Sequence, residues 1–128
     1  MSSPGTEEFG AAAAARERLG SLEVHELGED CVLYTARSFN ERRRGLAGLE
    51  ALPAGWGLHI LHCRSVHTFG MRFPLDLIWL GKDGAVVKVT RDVKRRRQAT
   101  CLRARTVVEV NAGEADRFLA AGLGAASD

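Results

Sequence analysis

The sequence predicts a mostly β domain, a small sandwich or barrel with one or two short helices, for which α+β is the alternative description. Three observations carry this. Short runs rich in Val, Ile, Leu and aromatic residues recur between turn signals about every eight to twelve residues. Asp83-Gly84 stands between two apolar runs, where a tight hairpin needs the positive φ that Gly accepts. Helical patterns do not alternate with the strands, so alternating βαβ units are not expected. At 128 residues, with 45% hydrophobic and 27% charged residues, the chain has the size and make-up of one globular domain. Disorder throughout, collagen and coiled coil are excluded. A membrane-spanning helix is excluded too, since no run of about 18 apolar residues exists.

The elements follow in order. Residues 1–20 read as a flexible N-terminal tail, because their alanine run is too short to hold a helix alone in water. Residues 21–126 read as a single β-rich domain. Leu22, Val24 and Leu27, then Cys31-Val32-Leu33-Tyr34-Thr35, read as two strands joined by a turn at Gly28-Glu29-Asp30. Ser38-Phe39-Asn40-Glu41 is a capping box, predicting a helix from Phe39 to about Leu49. Pro53, Gly55 and Gly57 mark a loop. Residues 58–63 read as a strand and residues 66–71 as a short extended piece. Residues 75–80 are nearly all apolar, which fits a central strand buried on both faces. The Asp83-Gly84 turn returns into a strand over residues 85–90. Residues 91–105 read as a basic loop, 106–110 as a strand and 114–121 as a short helix. The expected core is Leu33, Leu58, Ile60, Leu77, Trp79, Val87, Val89, Val108 and Val110.

Net charge is only +2, but it is polarised. The first thirty residues carry seven acids against two arginines, whereas residues 91–105 carry seven bases against Asp92. The run Lys94-Arg95-Arg96-Arg97 is a candidate contact for phosphate, an anionic surface or an acidic protein, against the plainer reading of a solvated loop. No aromatic residue interleaves it, so nucleic-acid recognition by stacking lacks its usual parts, and only a salt-sensitive phosphate contact stays open. The cysteines Cys31, Cys63 and Cys101 are odd in number and form no CxxC, which fits reduced thiols in the cytoplasm, with a Cys63–Cys101 bridge open if the two are neighbours.

Candidate chemistry concentrates between His59 and Asp76. Cys63, Ser65 and His67 would share one strand face, with His62, Arg64 and Thr68 opposite. A Cys63–His67 pair could make an activated thiolate, but no orienting third group is evident nearby. His59 and His62 are three apart on a strand, hence on opposite faces, so no metal site and no cofactor are expected. Asp76 interrupts an apolar strand and needs a partner. One reading has it lock the Pro74 turn through backbone donors. The other has Asp76 and Arg72 line a ligand pocket with His67, Thr68 and Cys63. Motifs for phosphate loops, dinucleotide binding, zinc proteases and α/β-hydrolases are absent from the sequence.

The run from Cys63 to Asp76 (CRSVHTFGMRFPLD) resembles the signature of the bacterial and archaeal family called domain of unknown function 192. Arg42 to Gly48 (RRRGLAG) is similar to that family's early arginine–glycine–leucine segment, and Val107-Val108-Glu109-Val110-Asn111-Ala112-Gly113 to its valine–leucine–glutamate and alanine–glycine segment. Val66-His67-Thr68 stands where many members have phenylalanine–tryptophan–methionine. The resemblance implies a small β-rich domain and no established activity. The expectation is a non-enzymatic ligand- or protein-binding accessory domain. The alternatives are a small hydrolase-like enzyme using Cys63 or Asp76 with His67, and a binder of anionic surfaces or nucleic acid through the basic run.

Overall fold

A strand that is apolar on both faces must be covered on both sides. In the computed structural model, which describes residues 4–125, the run 75–80 is such a strand, buried at every position. The elements are α1 (Pro4–Leu19), β1 (Glu23–Leu27), β2 (Cys31–Ala36), α2 (Phe39–Arg44), β3 (Trp56–Ile60), β4 (Ser65–His67), β5 (Leu75–Leu80), β6 (Val86–Val93), β7 (Gln98–Thr100), β8 (Thr106–Asn111) and α3 (Ala115–Ala120). Six strands form one sheet in the order β1-β2-β3-β8-β5-β6, and β4 pairs with β7 in a second. The fold is therefore mostly β and α+β-like, with no closed barrel. Among the described residues only β2 and β3 pair in parallel, joined through α2. That single crossover was not expected, because a six-residue helix shows too little periodicity to announce it.

Side chains alternate across the sheet and build two cores. Leu75, Leu77, Trp79, Val107, Leu58 and Ile60 pack on one face with Leu46, Val66 and Met71. Ile78, Leu80, Val108, Val110 and Leu33 pack on the other with Ala115 and Phe118 of α3. Val87 and Val89, expected in the core, are only half-buried, because they lie on the edge strand β6.

Three expectations are corrected. Ala15 and Leu19, in the segment read as a tail, do not stand outside the core. Over its described residues α1 buries Ala15 and Leu19, one helical turn apart, against the first core. Tertiary packing thus stabilises an alanine-rich helix too short to stand alone. The capping box of α2 is present, with Glu41 N donating to Ser38 Oγ at 3.1 Å and Ser38 N to Glu41 Oε1 at 3.0 Å, yet the helix stops at Arg44. Gly45 leaves the helical region at φ +49°, so the helix does not reach Leu49. Residues 91–105 are not all loop, since β6 runs on to Val93 and Gln98–Thr100 forms β7 against β4.

Candidate functional site

The residues singled out in the sequence do not converge on one place. Asp76 is 1% exposed and points towards α3. Its Oδ1 accepts from Asp92 N at 2.8 Å, and its Oδ2 from Gly113 N at 3.0 Å and Ala115 N at 3.1 Å. The ladder explains the first bond. Leu75 pairs with Val93 and Leu77 with Thr90, so Arg91 and Asp92 together face Asp76 as a bulge. The bulge turns the Asp92 N–H, at φ +52°, onto the carboxylate. The other two bonds supply the start of α3 with an acceptor that Glu114 does not provide. Asp76 is thus held by backbone donors from β6 and α3, and Arg72 is not its partner. The exposed Arg72 approaches Glu50 at 3.8 Å instead.

Thr68 is also buried. Its Oγ1 donates to Lys94 O at 2.6 Å and accepts from Arg97 N at 2.8 Å, which pins the basic run to the segment after β4. Lys94, Arg95, Arg96 and Arg97 are exposed, and Arg95 Nε donates to Met71 O at 3.0 Å. Arg96 sits at φ +59°, so the run turns sharply rather than extending.

Cys63 and His67 do line one concavity, of about 140 Å³, between α2, β4 and β8. Its walls include Leu46, Ile60, Val66 and Met71, all buried, and its rim includes Arg43, Arg44, His67 and Phe69, all exposed. Glu109 lines it from the sheet side. The register places Glu109 between Leu58 of β3 and Leu77 of β5, so its carboxyl lies against apolar neighbours. Glu109 is 4% exposed. Among the described residues no hydrogen bond reaches its carboxyl, and desolvation pushes it up to about 7. A Cβ added at Gly45 would lie 3.8 Å from Oε1, in ordinary van der Waals contact with the carboxyl. Arg42 faces the same space. Its Nε is buried without a partner among the described residues, and its Nη1 reaches His62 O only at 3.5 Å.

The thiol is not poised for attack. Cys63 Sγ donates to Ser65 O at 3.2 Å, and burial pushes the thiol up, which disfavours the thiolate. His67 lies beside Phe69 with ring centroids 6.0 Å apart. Cys31, Cys63 and Cys101 are all free. Among the described residues no three His, Cys, Asp or Glu side chains gather as a metal site, and no helix is long and apolar enough to cross a membrane.

Sequence reasoning missed Glu109 and Arg42. The signal for Glu109 was the one that exposed Asp76, a lone acid inside the apolar run Val107-Val108-Glu109-Val110. Arg42 sits in a run of three arginines, where nothing local marks one of them as facing a pocket.

The three stretches that resemble the domain of unknown function 192 family all reach this pocket, through Arg42, Gly45 and Leu46, through Cys63, His67 and Met71, and through Glu109. A model of that family, described as "Uncharacterized ACR", matches residues 22–122. The chain belongs to the DUF192 family. Two solved structures resemble this DUF192 domain. One is a protein of unknown function from Novosphingobium aromaticivorans, 22% identical, with a TM-score of 0.61 over 74% of each chain. The other, from Sinorhizobium meliloti, is named a "putative transcription regulator" and is 20% identical, with a TM-score of 0.63 over 75% of this chain and 79% of that one. At such identities the likeness speaks for the fold alone. No curated protein sequence matches the DUF192 domain.

Proposed function

We propose that this domain is a non-enzymatic binding module whose ligand site is the pocket between α2, β4 and β8. The observation that carries the reading is Glu109, a carboxyl only 4% exposed, without a hydrogen-bond partner among the described residues, that lines an open concavity. A carboxyl so nearly buried has little water to bond to, so a ligand with N–H donors could serve it from the concavity. Arg42 Nε, buried without a partner among the described residues, lies at the same pocket, and buried polar groups are nearly always satisfied. A hydrolase is supported less well. Asp76 is sealed by backbone, Cys63 is held as a thiol, and His67 lies tilted against Phe69 at the rim. A cytoplasmic location belongs to this reading, and the odd set of free thiols supports it.

Backbone amide NMR of the full chain tests this with benzamide, a ring carrying N–H donors, and benzoate, a ring carrying none. Benzamide at millimolar concentration is expected to move the amides of Gly45, Cys63 and Glu109. The Glu109→Leu variant, whose new side chain matches its neighbours Leu58 and Leu77, should abolish that response. Unmoved amides with both probes would overturn the assignment, as would an undiminished benzamide response in the variant.

A further inference from the structure

Resting on that pocket reading, we propose that the pocket and the two arginine segments beside it form a binding site for single-stranded nucleic acid, with one base seated in the pocket and flanking phosphates on the arginines. The cavity measures about 140 Å³. A space of about that size holds one benzene-sized ring, and this one opens to solvent, so a base can enter edge first. Leu46, Ile60, Val66 and Met71 give it an apolar wall against which a ring can lie. Glu109 then meets the edge of the base. A carboxylate there accepts from an exocyclic amine, the contact by which acids read cytosine.

The rim narrows the ligand class further. Arg42, Arg43 and Arg44 line one side, so a free ammonium or guanidinium ligand would be repelled on its way to Glu109. The ligand must offer N–H donors while carrying negative charge, which describes an amino-bearing base on a phosphate backbone. Phe69 is 57% exposed beside His67, and an exposed ring at the mouth of such a pocket is a stacking platform for the next base.

The second arginine segment begins at the same rim. His67 pairs with Gln98 in the small sheet, Thr68 N donates to Arg97 O at 2.8 Å, and Phe69 follows directly in the chain. A strand leaving the pocket over His67 and Phe69 therefore runs onto Arg96 and Arg97. The basic run contains no aromatic residue of its own, and the fold supplies aromatic rings from a different segment.

The test is fluorescence anisotropy of the full chain with labelled deoxycytidine and deoxythymidine hexamers, at pH 8 and two salt concentrations. Thymine replaces the exocyclic amine by a carbonyl, which the Glu109 carboxylate rejects. The cytidine hexamer is expected to bind about tenfold more tightly than the thymidine hexamer, the size of one good base-edge contact. Glu109→Leu should erase that preference. Phe69→Ala should weaken both hexamers about tenfold, as loss of a stacking ring does. Arg96→Ala should weaken both and flatten the salt dependence. Equal binding of the two hexamers, a preference that survives Glu109→Leu, or deoxycytidine monophosphate binding as tightly as the hexamer would each overturn the proposal. Benzamide run alongside separates the two readings. A pocket that takes benzamide while neither hexamer binds keeps the site and removes this ligand, and silence from every probe removes both.

Discussion

Replacing Asp76 by Ala should come close to unfolding the domain. The carboxylate is 1% exposed and accepts hydrogen bonds from the backbone N–H groups of Asp92, Gly113 and Ala115. Bonds to a charged group contribute roughly 1.5–3 kcal/mol each, and every donor left unsatisfied in the interior costs about 1–3 kcal/mol. Three such bonds put the loss on the order of 4–9 kcal/mol, comparable to the roughly 5–15 kcal/mol that holds a whole domain together. Asp76→Asn separates the contributions. Its carbonyl oxygen can still serve Gly113 and Ala115, but its NH₂ then opposes the Asp92 N–H, so the loss should be about one bond, roughly 2–3 kcal/mol. Urea unfolding followed by tryptophan fluorescence reads both variants, because Trp79 lies fully buried three residues along β5. An Asp76→Ala protein within about 1 kcal/mol of the parent would refute the reasoning, as would an Asn variant as damaged as the Ala variant.

Other expectations follow from the same interior. Glu109 is pushed from 4.5 up to about 7 in the folded chain, so folding holds its proton while the unfolded chain gives it up. Stability should therefore fall as pH rises from about 4.5 through about 7, by roughly 3 kcal/mol in all at about 1.4 kcal/mol per unit. Burial pushes His59 down, which works in the opposite sense, so the quantity to measure is the difference between parent and Glu109→Gln across that range, and a flat difference would contradict the burial of the carboxyl. Thr68→Val should cost about 1–3 kcal/mol and speed hydrogen exchange at the Arg97 amide, since the hydroxyl holds Lys94 O and Arg97 N. Unchanged exchange there would show that the basic run is held elsewhere. Gly55→Ala should be far more destabilising than Gly113→Ala, although both glycines have φ above +80°, because the new Cβ at 55 would strike the Asp30 carbonyl while that at 113 meets nothing within 4 Å. Equal melting temperatures for the two would undo that comparison.

The sequence by itself determined the strands of the sheet, the Asp83-Gly84 hairpin, the capping box at Ser38 and the family. Each depends on contacts within a few residues: alternation along a strand, a turn's φ, a side chain capping its own helix. It also exposed Asp76, because a lone acid in an apolar strand violates the local pattern. What it could not supply was the partner, since the donors at Asp92, Gly113 and Ala115 come from a bulge and a helix start far along the chain. The same limit hid the role of α1, whose Ala15 and Leu19 make an alanine-rich stretch part of the core only by packing. It also split the expected His67, Arg72 and Asp76 cluster, because strand pleat and the turn at Gly70 send neighbours in sequence to different faces. Only the tertiary structure decided that Arg42, Cys63, His67 and Glu109 share one pocket. They come from α2, the β3–β4 connection, β4 and β8, and no local rule fixes distances between elements that meet only through the sheet.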